Sequence, residues 1–84
     1  MPAFTADDLA TILIEGAGEA EPIDWQDTTA LETSFDDLGY DSIALLETAG
    51  RVQRKFGVLI EDELPNLTTP AQFVDHVNEL VAAR

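Results

Sequence analysis

Leu45, Ala49, Val52 and Phe56 recur at i, i+4, i+7 and i+11. That spacing lines one face of an α-helix with apolar side chains. A helix with one apolar face must bury it against another element, so this stretch commits the chain to packing helix on helix. The chain has 84 residues, enough for one small domain and little more. Two further amphipathic segments supply the partners. Near the start, Thr5-Ala6-Asp7-Asp8 fits the capping box, in which side chains satisfy the orphan N–H groups of a first turn. Leu9, Ile12 and Leu13 follow as an i, i+3, i+4 stripe, and Gly16 and Gly18 are expected to end that helix. Near the end, Thr69 is the expected N-cap, Pro70 the first helical residue and Gln72 the reciprocal partner of the box. Phe73, Val74, Val77, Leu80 and Val81 then form the apolar face.

The middle helix is expected from about Ser42 to Phe56, with Gly57 as its C-cap. Arg51, Arg54 and Lys55 fall in its last turns, where cations suit the negative end of the helix dipole. Ile43, Leu46 and Gly50 make a second stripe beside the first. Between Gly16 and Asp41 the periodicity fades into turn-forming residues such as Pro22, Asp24, Asp27 and Gly39. Ile23, Trp25, Leu31, Phe35 and Leu38 should pin this long connection to the core, with a short helical turn around Leu31 to Phe35. Val58-Leu59-Ile60 has no second strand to pair with and reads as a packed connection. Glu61 to Leu67 reads as a short helix limited by Pro65. The expected fold class is all-α: a small four-helix bundle over residues 1–84, with three main helices, one short one and a long first connection.

Charge narrows the partners. The formal net charge is −13, from 17 acidic and 4 basic residues. Such a surface repels nucleic acid phosphate and anionic membranes, both of which bind through Lys and Arg. With 45% apolar residues the chain is too hydrophobic for a disordered acidic tail. It has no cysteine, which excludes disulfides, thiolate metal sites and a protein thiol nucleophile. No apolar run reaches the roughly 18 residues of a membrane span, and Met1 opens no secretory signal pattern. The expectations are a cytoplasmic location and, from the charge, a monomer.

Little enzymatic chemistry is available. His76 is the single histidine and reads as a surface or rim residue. No Gly-rich loop follows a strand, and Asp36, Asp37 and Asp41 do not match the spacing of a calcium loop. One constellation stands apart. Leu38-Gly39-Tyr40-Asp41-Ser42-Ile43 puts a serine where a loop becomes a helix. Either Asp41 or Ser42 merely caps the helix, or Ser42 Oγ is an exposed attachment point. A helix N-terminus suits a phosphodiester, because free N–H groups and the dipole both favour an anion.

The stretch Phe35-Asp36-Asp37-Leu38-Gly39-Tyr40-Asp41-Ser42-Ile43-Ala44-Leu45-Leu46-Glu47 resembles the acyl carrier protein family, whose signature is Asp-Ser-Leu or Asp-Ser-Ile. Leu-Gly-Tyr-Asp-Ser followed by Ala-Leu-Leu-Glu-Thr-Ala is most similar to the discrete carriers of type II (aromatic) polyketide synthases. The resemblance implies that Ser42 receives 4′-phosphopantetheine from coenzyme A by a Mg²⁺-dependent phosphopantetheinyl transferase. It also implies that acyl and polyketide units travel as thioesters on that arm, in antibiotic biosynthesis. The absence of cysteine agrees, since the sulfur then comes from the prosthetic group. Asp37, Asp41, Ile43, Leu46 and Glu47 become the partner-binding residues around Ser42, while Leu38 and Gly39 shape the turn. Phe35, Leu45, Val52 and Phe56 become core. The implied partners are the transferase, a ketosynthase–chain-length-factor pair, a malonyl transferase, a ketoreductase and cyclases. The implied chain is itself no catalyst.

The sequence departs from a fatty-acid carrier in one respect. Between Ser42 and Phe56 one acid, Glu47, faces three bases, for a net +2. The acidic zone is then Asp36, Asp37, Asp41 and Glu47, with Glu61, Asp62 and Glu63 expected nearby. A carried chain would find cover against residues such as Leu46, Ala49, Leu64 or Val77. The competing readings are a carrier for fatty acid or another thioester pathway, an acidic interaction module without a prosthetic group, and a hydrolase using Ser42. The last would need His76 to reach across the bundle.

Overall fold

The computed structural model describes residues 4–18, 24, 25 and 27–83. Four α-helices and one 3₁₀ helix follow one another: α1 (Ala6–Ala17), α2 (Thr28–Glu32), α3 (Ser42–Phe56), the 3₁₀ helix (Glu61–Asn66) and α4 (Pro70–Ala82). There are no strands among the described residues, and no helix there is long and apolar enough to cross a membrane.

The helix starts follow their caps. Thr5 accepts from the Asp8 N–H at 3.1 Å, and the Thr5 N–H donates to Asp8 Oδ2 at 3.0 Å. Thr69 and Gln72 make the same reciprocal pair ahead of α4. α1 runs one residue past Gly16 and is capped at Gly18, whose φ is 81° and whose N–H donates to the Ile14 carbonyl at 2.9 Å. Gly16, expected at the helix end, thus lies inside it. It lies close against α3. A Cβ there would come within 3.0 Å of Arg51 Nε and 3.1 Å of Glu47 Cγ on α3.

The long connection holds an additional helix. The turn expected around Leu31 to Phe35 is displaced to α2, because Asp27 caps that segment by accepting from the Thr29 N–H at 2.9 Å. Thr33 has already left the helix, and the Phe35 N–H is spent on the Thr68 carbonyl at 2.8 Å. Phe35 is buried, Trp25 and Leu38 pack against the core, and Leu31 is half-buried. Ile23 and Pro22 lie outside the described residues. Val58 and Ile60 enter the core while Leu59 points out, 71% exposed.

The core joins Leu9, Ile12 and Leu13 of α1, Ala49 and Val52 of α3, and Phe73 and Val77 of α4. α1 packs most extensively on α3, and the 3₁₀ helix lies along α3 as well. Aromatic edges add to the core: Phe4 meets Phe56, at the end of α3, with centroids 5.2 Å apart at 87°, and Phe35, before its start, meets Phe73 at 6.0 Å and 81°. Phe4 is held by α4 through a two-way clamp. Its N–H donates to Asn78 Oδ1 at 2.8 Å, and Asn78 Nδ2 donates to its carbonyl at 2.9 Å. Among the described residues one polar side chain, Thr48, is fully buried, and its hydroxyl donates to the Ala44 carbonyl at 2.9 Å.

Candidate functional site

The approach to α3 is built by a tight turn. Leu38 N–H donates to the Ser34 and Phe35 carbonyls, Gly39 N–H to Asp36, and Tyr40 N–H back to Phe35 at 2.9 Å. Gly39 adopts φ 94°, a conformation that side chains with a Cβ rarely reach. Tyr40 is then buried, and its hydroxyl donates to the Gly18 carbonyl at 3.4 Å. One residue later the chain is exposed again at Asp41 and Ser42. The turn is anchored on both sides, by Phe35 and by Tyr40, so the two exposed residues sit on a fixed base.

Asp41 is the N-cap: its Oδ1 accepts from the Ala44 N–H at 2.9 Å. Ser42 is therefore the first residue of the helix and is not needed as a cap. Among the described residues nothing hydrogen-bonds Ser42 Oγ. The Ser42 and Ile43 N–H groups belong to the first turn, where an α-helix has no carbonyl to offer them. Their free hydrogens and the positive end of the dipole suit a phosphodiester on Ser42 Oγ.

Two grooves flank the serine. One, of about 410 Å³, is lined by Ser42, Leu45, Leu46, Glu61, Leu64 and Pro65. A contiguous one, of about 480 Å³, shares Ser42, Leu45 and Leu64 and reaches Phe35, Tyr40 and Leu67. Leu46 and Leu64 thus border the groove as expected for cover of a carried chain. Ala49 and Val77 do not: both are sealed in the core with no surface left. His76 lines neither groove.

Of the partner-binding candidates, Asp41 and Leu46 line these grooves, whereas Ile43 and Glu47 line a separate pocket with Gly16, Gly39 and Ala44. Asp37, Asp41 and Glu47 are exposed, Ile43 is 74% exposed and Leu46 50%. Glu61 joins them across the groove, while Asp62 and Glu63 are exposed on the same 3₁₀ helix. Ile43 and Leu46 therefore face outward, on the opposite edge of the buried stripe from Thr48. Glu47 is not a bare acid. Its Oε1 pairs with Arg51 Nε at 3.3 Å, one turn along. The buried roles of Thr48 and Tyr40 were not foreseen. Thr48 does sit at helical spacing between Leu45 and Val52, which is the signal that could have placed it.

An exposed, uncommitted serine at the head of a helix, flanked by carboxylates and an apolar groove, leaves room for a covalently tethered group. Residues 8–77 match the family described as Phosphopantetheine attachment site. The chain is 46% identical over 81 residues to the monensin polyketide synthase acyl carrier protein of Streptomyces virginiae, covering 95% of this chain and 90% of that one. It is 43% identical over 79 residues to the oxytetracycline polyketide synthase acyl carrier protein of Streptomyces rimosus, covering 93% and 82%. The fold superposes on the solution structure of octanoyl acyl carrier protein from the actinorhodin polyketide synthase of Streptomyces coelicolor with a TM-score of 0.82. That match has 38% identity and covers 98% of this chain and 95% of that one. The chain belongs to the acyl carrier proteins of type II polyketide synthases, which hold their intermediates on a covalent 4′-phosphopantetheine arm.

Proposed function

We propose that Ser42 is the attachment residue and that residues 1–84 act as one carrier domain, itself no catalyst. The observation that supports this reading best is the division of labour at the head of α3. Asp41 caps the helix and leaves the Ser42 hydroxyl exposed and uncommitted. A transferase would move the phosphopantetheinyl group from coenzyme A to Ser42 Oγ, with the serine proton lost and 3′,5′-ADP released. When attached, the arm supplies the thiol that a cysteine-free chain lacks.

The protein's own residues then do three things. The first-turn N–H groups stabilise the phosphodiester. Leu45, Leu46, Leu64 and Pro65 offer apolar cover beside it. Asp37, Asp41, Ile43, Leu46 and Glu47 form the surface that partners meet. Those partners are the phosphopantetheinyl transferase, a ketosynthase–chain-length-factor pair, a malonyl transferase, a ketoreductase and cyclases. Each encounter should be brief, and a net charge of −13 speeds encounter with basic surfaces. The setting that fits is a monomer in the cytoplasm.

Intact mass after incubation with coenzyme A, Mg²⁺ and a broad-specificity phosphopantetheinyl transferase tests the reading. The wild type should gain one phosphopantetheinyl group and Ser42→Ala none. A wild type that gains nothing, while a control carrier is modified, would make Asp41-Ser42 an ordinary helix start.

A further inference from the structure

The larger groove beside Ser42, of about 480 Å³, has an apolar wall of Phe35, Leu45, Leu64 and Leu67. Its polar edge is almost fully engaged. Asp36 and Asp41 border it as carboxylates, which accept hydrogen bonds and do not donate them. The Tyr40 hydroxyl donates to the Gly18 carbonyl, and the Thr68 hydroxyl donates to Gln72 Oε1 at 3.0 Å. Two hydroxyls are left, those of Ser42 and Ser34. Loading Ser42 turns its hydroxyl into an ester oxygen without a hydrogen. Among the described residues, Ser34 is then the one side chain lining this groove with a donor not already engaged.

Ser34 is also held in place. Its Oγ accepts from the Asp37 N–H at 3.2 Å, which fixes the oxygen and leaves its own hydrogen unused. The next residue is anchored too: Phe35 is buried, and its N–H donates to the Thr68 carbonyl. A donor whose oxygen is already ordered loses little further freedom when an acceptor arrives.

The chemistry of the cargo gives this donor a meaning. An unreduced polyketide chain carries a ketone oxygen at every second carbon, each an acceptor. A saturated acyl chain has no acceptor beyond its thioester. An apolar wall takes a saturated chain freely, but it strips water from a ketone, which then needs a new donor. The carboxylates beside the groove cannot supply one. The arm keeps the chain close to the groove at high effective concentration, so a single hydrogen bond shifts the balance between covered and uncovered chain.

We propose that Ser34 is a specificity-determining residue of this carrier, whose hydroxyl donates to a ketone of the tethered chain and lets the groove cover unreduced β-ketoacyl chains as well as saturated ones. The inference rests on the reading of Ser42 as the attachment residue and deepens it by naming the cargo class that the groove admits.

The test compares wild type, Ser34→Ala and Ser34→Thr, each loaded by the transferase from coenzyme A analogues with a non-hydrolysable linkage. One analogue carries a six-carbon chain with two ketones, the other its saturated counterpart. Intact mass confirms loading. Amide shift changes at Leu45, Leu64 and Leu67, relative to the protein with a bare arm, report how much of the chain lies in the groove. In the wild type both chains should move these amides. Ser34→Ala should lower the ratio of covered to uncovered diketone about three- to tenfold and leave that of the saturated chain within about 1.5-fold. Ser34→Thr keeps the hydroxyl and should restore the diketone. An equal loss for both chains would assign Ser34 to the turn or to the arm they share, and it overturns the inference. So does a diketone that Ser34→Ala covers as well as the wild type, or one that the wild-type groove does not take. Each of these leaves the Ser42 reading standing, whereas a wild type that accepts no arm overturns both.

Discussion

α3 turns two apolar stripes in different directions. One side, Ala49 and Val52 with Thr48 beside Val52, has no surface left and shares the core with residues of α1 and α4. The other, Ile43 and Leu46 leading to Gly50, is apolar in composition and open to solvent. Hydrophobic periodicity treats the two alike, since it reports which residues share a face and not what covers that face. What separates them is the rest of the bundle. Core residues of α1 and α4 cover one stripe, and the 3₁₀ helix, short and interrupted by Pro65, borders the other only at Leu46. An apolar residue left out of a core this small forgoes burial of which the domain has little to spare.

The largest effect should come from breaking the inner side. Val52→Ala removes two methyl groups from a fully buried site and should lower stability by roughly 2 kcal/mol. Leu46→Ala removes more carbon but from a half-exposed site, and should change stability by less than about 0.5 kcal/mol. Urea unfolding of the pair checks this. Equal losses would mean that the outer stripe is packed and that the comparison is wrong.

A middle-sized effect separates the two roles of Asp41. Asp41→Ala should cost about 1 kcal/mol through loss of the cap to the Ala44 N–H. Asp41→Asn keeps a capping oxygen and should restore most of that stability. If the charge of Asp41 is also read by partners, Asp41→Asn will still raise the KM of the transferase reaction while unfolding near the wild-type midpoint. A KM at the wild-type value in Asp41→Asn would confine Asp41 to capping.

Much of this was legible from residues alone. The caps at Thr5 and Thr69 and the span of α3 depend on local hydrogen-bond chemistry, which the order of side chains dictates. Asp41-Ser42 was legible as a helix start for the same reason, though not which of the two would cap. α2 was misplaced because its start depends on Asp27 and its end on Thr68, 35 residues from Thr33, whose carbonyl takes the Phe35 N–H. Gly16 was misread as a terminator because its reason lies across space, in the Glu47–Arg51 pair. Ala49 and Val77 were placed beside a carried chain because periodicity cannot distinguish a groove wall from a sealed core.

That same pair yields the smallest and most selective prediction. Arg51 holds Glu47 at 3.3 Å with both side chains partly exposed, so the pair itself contributes little to stability. Its consequence is for docking: a basic group on a partner must compete with Arg51 for the Glu47 carboxylate. Arg51→Gln removes the competitor and should lower the transferase KM by about twofold at low salt, with the gain fading as the Debye length shrinks. The substitution also makes the whole molecule more acidic, which by itself favours a basic partner. Lys55→Gln changes the net charge equally, in the same last turns of α3, but leaves the pair intact. Only the excess of Arg51→Gln over Lys55→Gln reports on Glu47. If the two variants shift KM alike, Glu47 takes no direct part in transferase docking, and its pairing with Arg51 is a matter of the helix surface alone.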